Sequence, residues 1–164
     1  MAQDSSADEL AWDQVLSKLG TLRDEWRAVT DGLTGDEAPP TVGGDRSDDE
    51  EQWNADQIHS HVASALFRYA DTLLTVVITE TGTFQRSPRR LPDDTPYSRI
   101  REIEEHGWAA LTSAIRAVGA LPDPGAVIAV NDAKVTTRQL IKRAAEHVDA
   151  HIEQIRALRS DRDE

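Results

Sequence analysis

The stretch Ala144-Ala-Glu-His147-Val-Asp-Ala-His151-Ile-Glu-Gln-Ile155 decides how this chain folds. Leu140, Ala144, His147, Val148, His151, Ile155 and Leu158 recur at three- and four-residue steps, the period of a helix with one buried face. His147 and His151 stand one turn apart on that face, where leucine or isoleucine is expected. Buried imidazoles are costly unless hydrogen-bonded or bound to metal. The pair therefore reads in two ways, as satisfied core histidines or as half of a metal site. It is not a zincin motif, because Val148 follows His147.

Three more helices surround this one in the pattern. The first covers about residues 7–30. Ser6-Ala-Asp-Glu9 is a capping-box pattern, Trp12, Val15, Leu16, Leu19, Leu22, Trp26 and Val29 form the stripe, and Gly32 ends it. The second runs from Asn54 to about residue 80, with Asn54 and Gln57 as a capping pair and Trp53 stapled toward Ile58. Its stripe is Ile58, Val62, Ala65, Leu66, Tyr69, Leu73 and Val77. The third covers about 96–118, with Thr95 as cap, Pro96 in the first turn, and Ile100, Ile103, Leu111, Ile115 and Val118 buried up to Gly119. Polar loops occupy 31–52 and 81–95. A small hairpin, 126–136 around Asn131-Asp132, precedes the fourth helix, which Thr136 and Gln139 cap and which ends near 159. Helices of this size are each about 35–39 Å long. The expected fold is all-α, a four-helix bundle formed as one domain over residues 1–164.

The chain has 164 residues and no cysteine, so only imidazole and carboxylate groups can ligate metal and no disulfide framework exists. Its formal net charge is -12, which argues against nucleic acid and anionic membranes as partners. No stretch approaches the ~20 apolar residues of a membrane span. The acidic N-terminal residues are the reverse of a signal peptide, so a cytoplasmic location is expected.

Five histidines are available. His61 lies beside Ile58, Val62 and Ala65, on the core side of the second helix. His59 is two residues away, roughly 200° around the axis, and is expected to be exposed. His106 flanks the third stripe and reads either way. If helices two and four are antiparallel, His61 and the 147/151 pair lie at similar depths. Gly107, at a matching depth on helix three, is expected to make room for a substrate pocket. Glu146 and Asp149 fall off the ligand face, either solvated or supporting the ligands from behind.

Trp53-Asn-Ala-Asp-Gln-Ile-His-Ser-His61-Val, together with Thr136-Thr-Arg-Gln-Leu140 and Glu146-His147-Val-Asp-Ala-His151-Ile-Glu-Gln-Ile155, resembles the DinB/YfiT-like superfamily of bundle proteins. The resemblance spans most of residues 7–159. It implies an up-down-down-up bundle with a crossover between helices two and three. It also implies a divalent metal, zinc or nickel foremost, held by His61, His147 and His151. Relatives include transferases and isomerases that use a low-molecular-weight thiol, and amide hydrolases. The expected function is a metal-dependent transferase or isomerase that activates such a thiol against a small-molecule substrate. Metal-dependent hydrolysis of an amide or ester is the alternative, and a non-enzymatic stress or interaction protein is the third reading. The sequence identifies no catalytic base and no thiol pocket, and it allows a homodimer.

Overall fold

The computed structural model describes residues 11–33, 53–79, 81–82, 91, 95–125, 127–130 and 133–160. Four helices carry the fold: α1 (Trp12–Thr30), α2 (Ala55–Thr79), α3 (Tyr97–Gly119) and α4 (Thr137–Ser160). Three short strands, β1 (Thr81–Gly82), β2 (Val127–Val130) and β3 (Ala133–Thr136), form a sheet in the order β1-β2-β3. β2 and β3 are the antiparallel hairpin read from the sequence, with Val127 opposite Thr136. β1 falls inside the segment read as a loop and pairs parallel with β2.

The helix ends follow local chemistry. At α2 the Asn54 amide donates to Gln57 Oε1 (3.1 Å) and the Gln57 amide to Asn54 Oδ1 (2.8 Å). At α4 the Thr136 amide donates to Gln139 Oε1 (2.9 Å) and the Gln139 amide to Thr136 Oγ1 (3.0 Å). Both are reciprocal capping boxes that satisfy two end amides each. The Ser6–Glu9 capping pattern lies outside the described residues; the described α1 starts at Trp12, and the Ala11 amide donates to Gln14 Oε1. Gly32 ends α1 in the left-handed conformation, φ 76°. Pro96 stands one position earlier than expected, as the N-cap of α3 rather than its first helical residue.

Pairwise contacts give the topology. Trp12 packs on Gly119, and Arg27 pairs with Glu105, so α1 and α3 are antiparallel. Arg138 stacks over Trp12 and Arg156 reaches Glu25, so α1 and α4 are parallel. His59 meets Glu104 while Leu66 meets Gly107, so α2 and α3 are parallel. The result is the up-down-down-up bundle, with its crossover between α2 and α3. Leu91 of that crossover donates its amide to Ser60 Oγ of α2 (3.0 Å). The core is largely aliphatic, and Trp26, Trp53 and Trp108 are buried within it.

Gly107 does not open a pocket. A Cβ there would lie 2.9 Å from Leu66 Cβ and 3.4 Å from the Ala63 carbonyl oxygen. The glycine lets two parallel helices approach closely. Gly107→Ala gains about 1 kcal/mol of helix propensity. Overpacking against atoms fixed to the α2 backbone costs about 1–3 kcal/mol. Packing is expected to win: urea denaturation should show Gly107→Ala less stable than wild type by about 1–2 kcal/mol.

Candidate metal centre

α2 and α4 run antiparallel, and this brings His61, His147 and His151 together. One ligand atom from each lies within 4.8 Å of the others. The ring centroids form a near-equilateral triangle: 4.9 Å for His61–His147, 5.0 Å for His61–His151 and 4.7 Å for His147–His151. His61 and His151 are 2% and 4% exposed, and His147 is half-buried. The depth comparison made from helix lengths thus holds for all three side chains.

The donor set fits a metal ion. His61 Nε2 and His147 Nε2 are 2.9 Å apart. Without an ion, two lone pairs at that distance need one proton between them. Bonds of about 2.0–2.1 Å to a tetrahedral ion put ligand nitrogens about 3.3 Å apart, so only a small adjustment separates the two arrangements. His151 Nδ1 donates to Gln154 Oε1 at 2.9 Å. That bond fixes the tautomer and leaves the Nε2 lone pair for the cluster. Trp53 packs against His61, ring centroids 4.9 Å apart, and covers one side of the site. Burial, then the neighbouring imidazoles and Arg68, pushes His147 down to about 3, so its ring offers a neutral lone pair at ordinary pH.

His59 is not exposed, contrary to the expectation from its angular position. It is 0% exposed and takes part in a second buried network on the opposite side of α2. Its Nε2 donates to Glu104 Oε2 at 2.6 Å, and Nδ1 lies 2.9 Å from the Tyr97 hydroxyl. Trp108 Nε1 donates to Glu104 Oε1 at 3.1 Å, and Trp26 packs edge-on to the imidazole. Burial, with help from Asp56 and Glu104, pushes Tyr97 up to about 12, so its phenol keeps the proton that Nδ1 accepts. α2 does not carry a single buried stripe. Ile58 through Ala63 are all buried, because α2 packs against neighbours on both sides. Glu104 was missed. Its signal was a carboxylate on the Ile100–Leu111 stripe, where nearly every other residue is apolar.

His106 is exposed and belongs to neither network. Glu146 and Asp149 are exposed and do not support the ligands. They line a cleft of about 500 Å³ between α1 and α4, with Trp12, Leu19 and Ile141, on the side of α4 away from the imidazoles. Glu146 pairs there with Lys142 at 3.7 Å. No protein-family model, curated protein or solved structure matches the chain. Among the described residues no helix is long and apolar enough to cross a membrane.

Two tests follow from the two networks. Removing one member of a buried pair strands the other, at about 3–5 kcal/mol. Glu104→Ala and His59→Ala should each show that loss in urea denaturation. The double variant should lose less than the sum, because no stranded partner remains. Strict additivity would contradict the coupling. In chelator-treated protein, the depressed His147 means that the unfolded chain binds the proton first as pH falls. Its contribution to stability is complete above about 6.5 and is lost progressively toward about 3. Wild type should therefore lose more stability than His147→Gln between pH 7 and 4.

Proposed function

We propose that this chain is a divalent-metal enzyme whose ion is held by His61, His147 and His151. The observation that carries the reading is the triangle of three imidazoles with at least one lone pair already set by Gln154. Three neutral nitrogen ligands leave a coordination position open, the arrangement of catalytic rather than structural zinc sites. A divalent ion so held supplies Lewis acidity, which favours the ionised form of a thiol or a water molecule.

The chain's own residues set the conditions. Gln154 holds the His151 ring in one orientation, which keeps its lone pair aimed at the cluster. Trp53 excludes water from the His61 side and lowers the local dielectric. Half-buried His147 leaves the approach to the ion on the side where Tyr69 packs, 6.0 Å from its ring centroid. With the DinB/YfiT-like resemblance, these features support transfer or isomerisation in which an ionised low-molecular-weight thiol attacks an electrophilic small molecule. Zinc and nickel both suit an all-imidazole site.

Protein purified without a polyhistidine tag should contain about one equivalent of divalent metal per chain. Zinc at about one hundred times its Kd adds about 2.7 kcal/mol, a rise in Tm of roughly 5–10 °C for a chain of this size. His147→Ala should abolish the rise, whereas Glu104→Ala should keep it. Metal content should fall between pH 8 and 5, because the ligands must be deprotonated. Thiol consumption with a panel of electrophiles tests the transferase reading, and turnover of an amide or ester without thiol would replace it with hydrolysis. No metal in wild type and a Tm indifferent to zinc would overturn both, leaving the histidines as core polar groups.

A further inference from the structure

The apolar stripe of α1 is only partly covered. Leu19, Trp26 and Val29 are buried, whereas Trp12, Val15 and Leu22 are half-buried. The gap over that part of the stripe is the cleft of about 500 Å³ between α1 and α4. Trp12, Val15, Leu19 and Leu22 floor it from α1, and Ile141 and Ala145 from α4. Along α4 its lining runs from Arg138 to Asp149, about 16 Å of helix. That volume and apolar floor suit a small molecule. An α-helix, about 10–12 Å across with its side chains, is too thick to sink into such a space. A second copy does not fill it either. Setting the basic turn of α4 over the acidic turn of another copy makes the helix pairs antiparallel, which lays one cleft on the other and leaves both empty.

Five charged side chains line the cleft, and three of them are engaged. Lys142 pairs with Glu146 at 3.7 Å, and Arg138 stacks over Trp12, 4.7 Å from the ring centroid. Lys18 and Asp149 remain. Among the described residues neither side chain makes an ion pair or a hydrogen bond. They stand on facing walls, Lys18 on α1 and Asp149 on α4. The helices are parallel, with Trp12 level with Arg138 and Glu25 level with Arg156, so Lys18 is level with the stretch between Lys142 and Asp149. Two opposite charges thus flank an apolar floor at similar height without meeting.

We propose that this cleft binds a small zwitterion with an apolar body, the chemistry of an apolar amino acid or a short apolar peptide. The ligand's carboxylate meets Lys18, its ammonium meets Asp149, and its side chain lies on the floor toward Trp12. Apolar burial supplies affinity, and the two charges select the head group. A carboxylic acid without the amine is drawn by Lys18 and repelled by Asp149; an amine without the carboxylate meets the reverse. The site lies on the side of α4 away from the imidazoles and does not depend on the metal reading.

NMR titration of the full chain, read at backbone amides and indole N–H groups, locates binding without any turnover. L-phenylalanine and leucyl-phenylalanine should shift the Trp12 indole and the amides around Lys18 and Ala145; whichever binds tighter tells a free amino acid from a peptide. Phenethylamine and 3-phenylpropionate keep the ring and lose one charge each, and they should bind about threefold or more weakly than L-phenylalanine. Lys18→Gln and Asp149→Asn, both at exposed positions, should each weaken the tighter zwitterion about threefold to fivefold, the effect of one exposed ion pair. Ala145→Phe fills the cleft and should abolish the shifts; the two exposed variants carry the test if it fails to fold. Zinc-loaded and chelator-treated protein should bind alike. The proposal is overturned by any of three results: no shift at Trp12 with either zwitterion, equal binding of amine, acid and amino acid, or shifts that require zinc.

Discussion

The burial of α2 on both sides is the constraint from which the rest follows. Residues 58–63 of that helix are all withdrawn from water, and two of them are histidines. An imidazole taken out of water must find partners or it costs several kcal/mol. Their two-residue spacing sends them to nearly opposite sides. Each neighbour of α2 must therefore supply polar groups at one defined height. α3 supplies Glu104 and Tyr97 to His59, and α4 supplies His147 to His61. The helix is pinned in depth and rotation by polar contacts on two sides, within a core that is otherwise apolar.

The two networks differ in a way that separates structure from chemistry. Around His59 each ring nitrogen has a partner, and the carboxylate accepts from both His59 and Trp108. Such a network is closed and has nothing left with which to bind a ligand. Around His61 the composition differs. Three imidazoles converge with no carboxylate among them, and two of their Nε2 atoms are 2.9 Å apart. A bound cation would turn such crowded lone pairs into a coordination shell. The same residue type, two positions apart on one helix, thus belongs to a closed polar network on one side and to the candidate three-histidine metal site on the other.

Much of this was legible from the sequence. Four helical periods, two reciprocal capping boxes and a hairpin are local signals, and apart from the start of α1, which lies at Trp12 rather than near residue 7, each appears within a residue or two of its expected place. The convergence of His61 with His147 and His151 was legible because depth along an antiparallel pair is simple arithmetic. Two of the failures share one cause. Treating α2 as an ordinary amphipathic helix put His59 in solvent and left Glu104 without a role. The short side chains at Ser60 and Ala63 and the glutamate within the α3 stripe were the available clues. At Gly107 the cause is different: the space a glycine leaves can be filled by a neighbouring helix, and Leu66 fills it.

The close approach at Gly107 also bears on the geometry of the candidate metal centre. α2 is held against α3 by a contact that tolerates almost no added volume, and by the short His59–Glu104 bond one to two turns away. Packed interiors respond to displacement as a solid does, so α2 cannot shift without breaking one of these. α4, by contrast, carries two of the three imidazoles, and its far side borders the cleft shared with α1. Were an ion to bind, any adjustment of imidazole spacing would therefore fall on α4. A helix held on two sides and carrying one imidazole faces a helix that carries two, so an ion bound by the three would enter without disturbing the core beneath it.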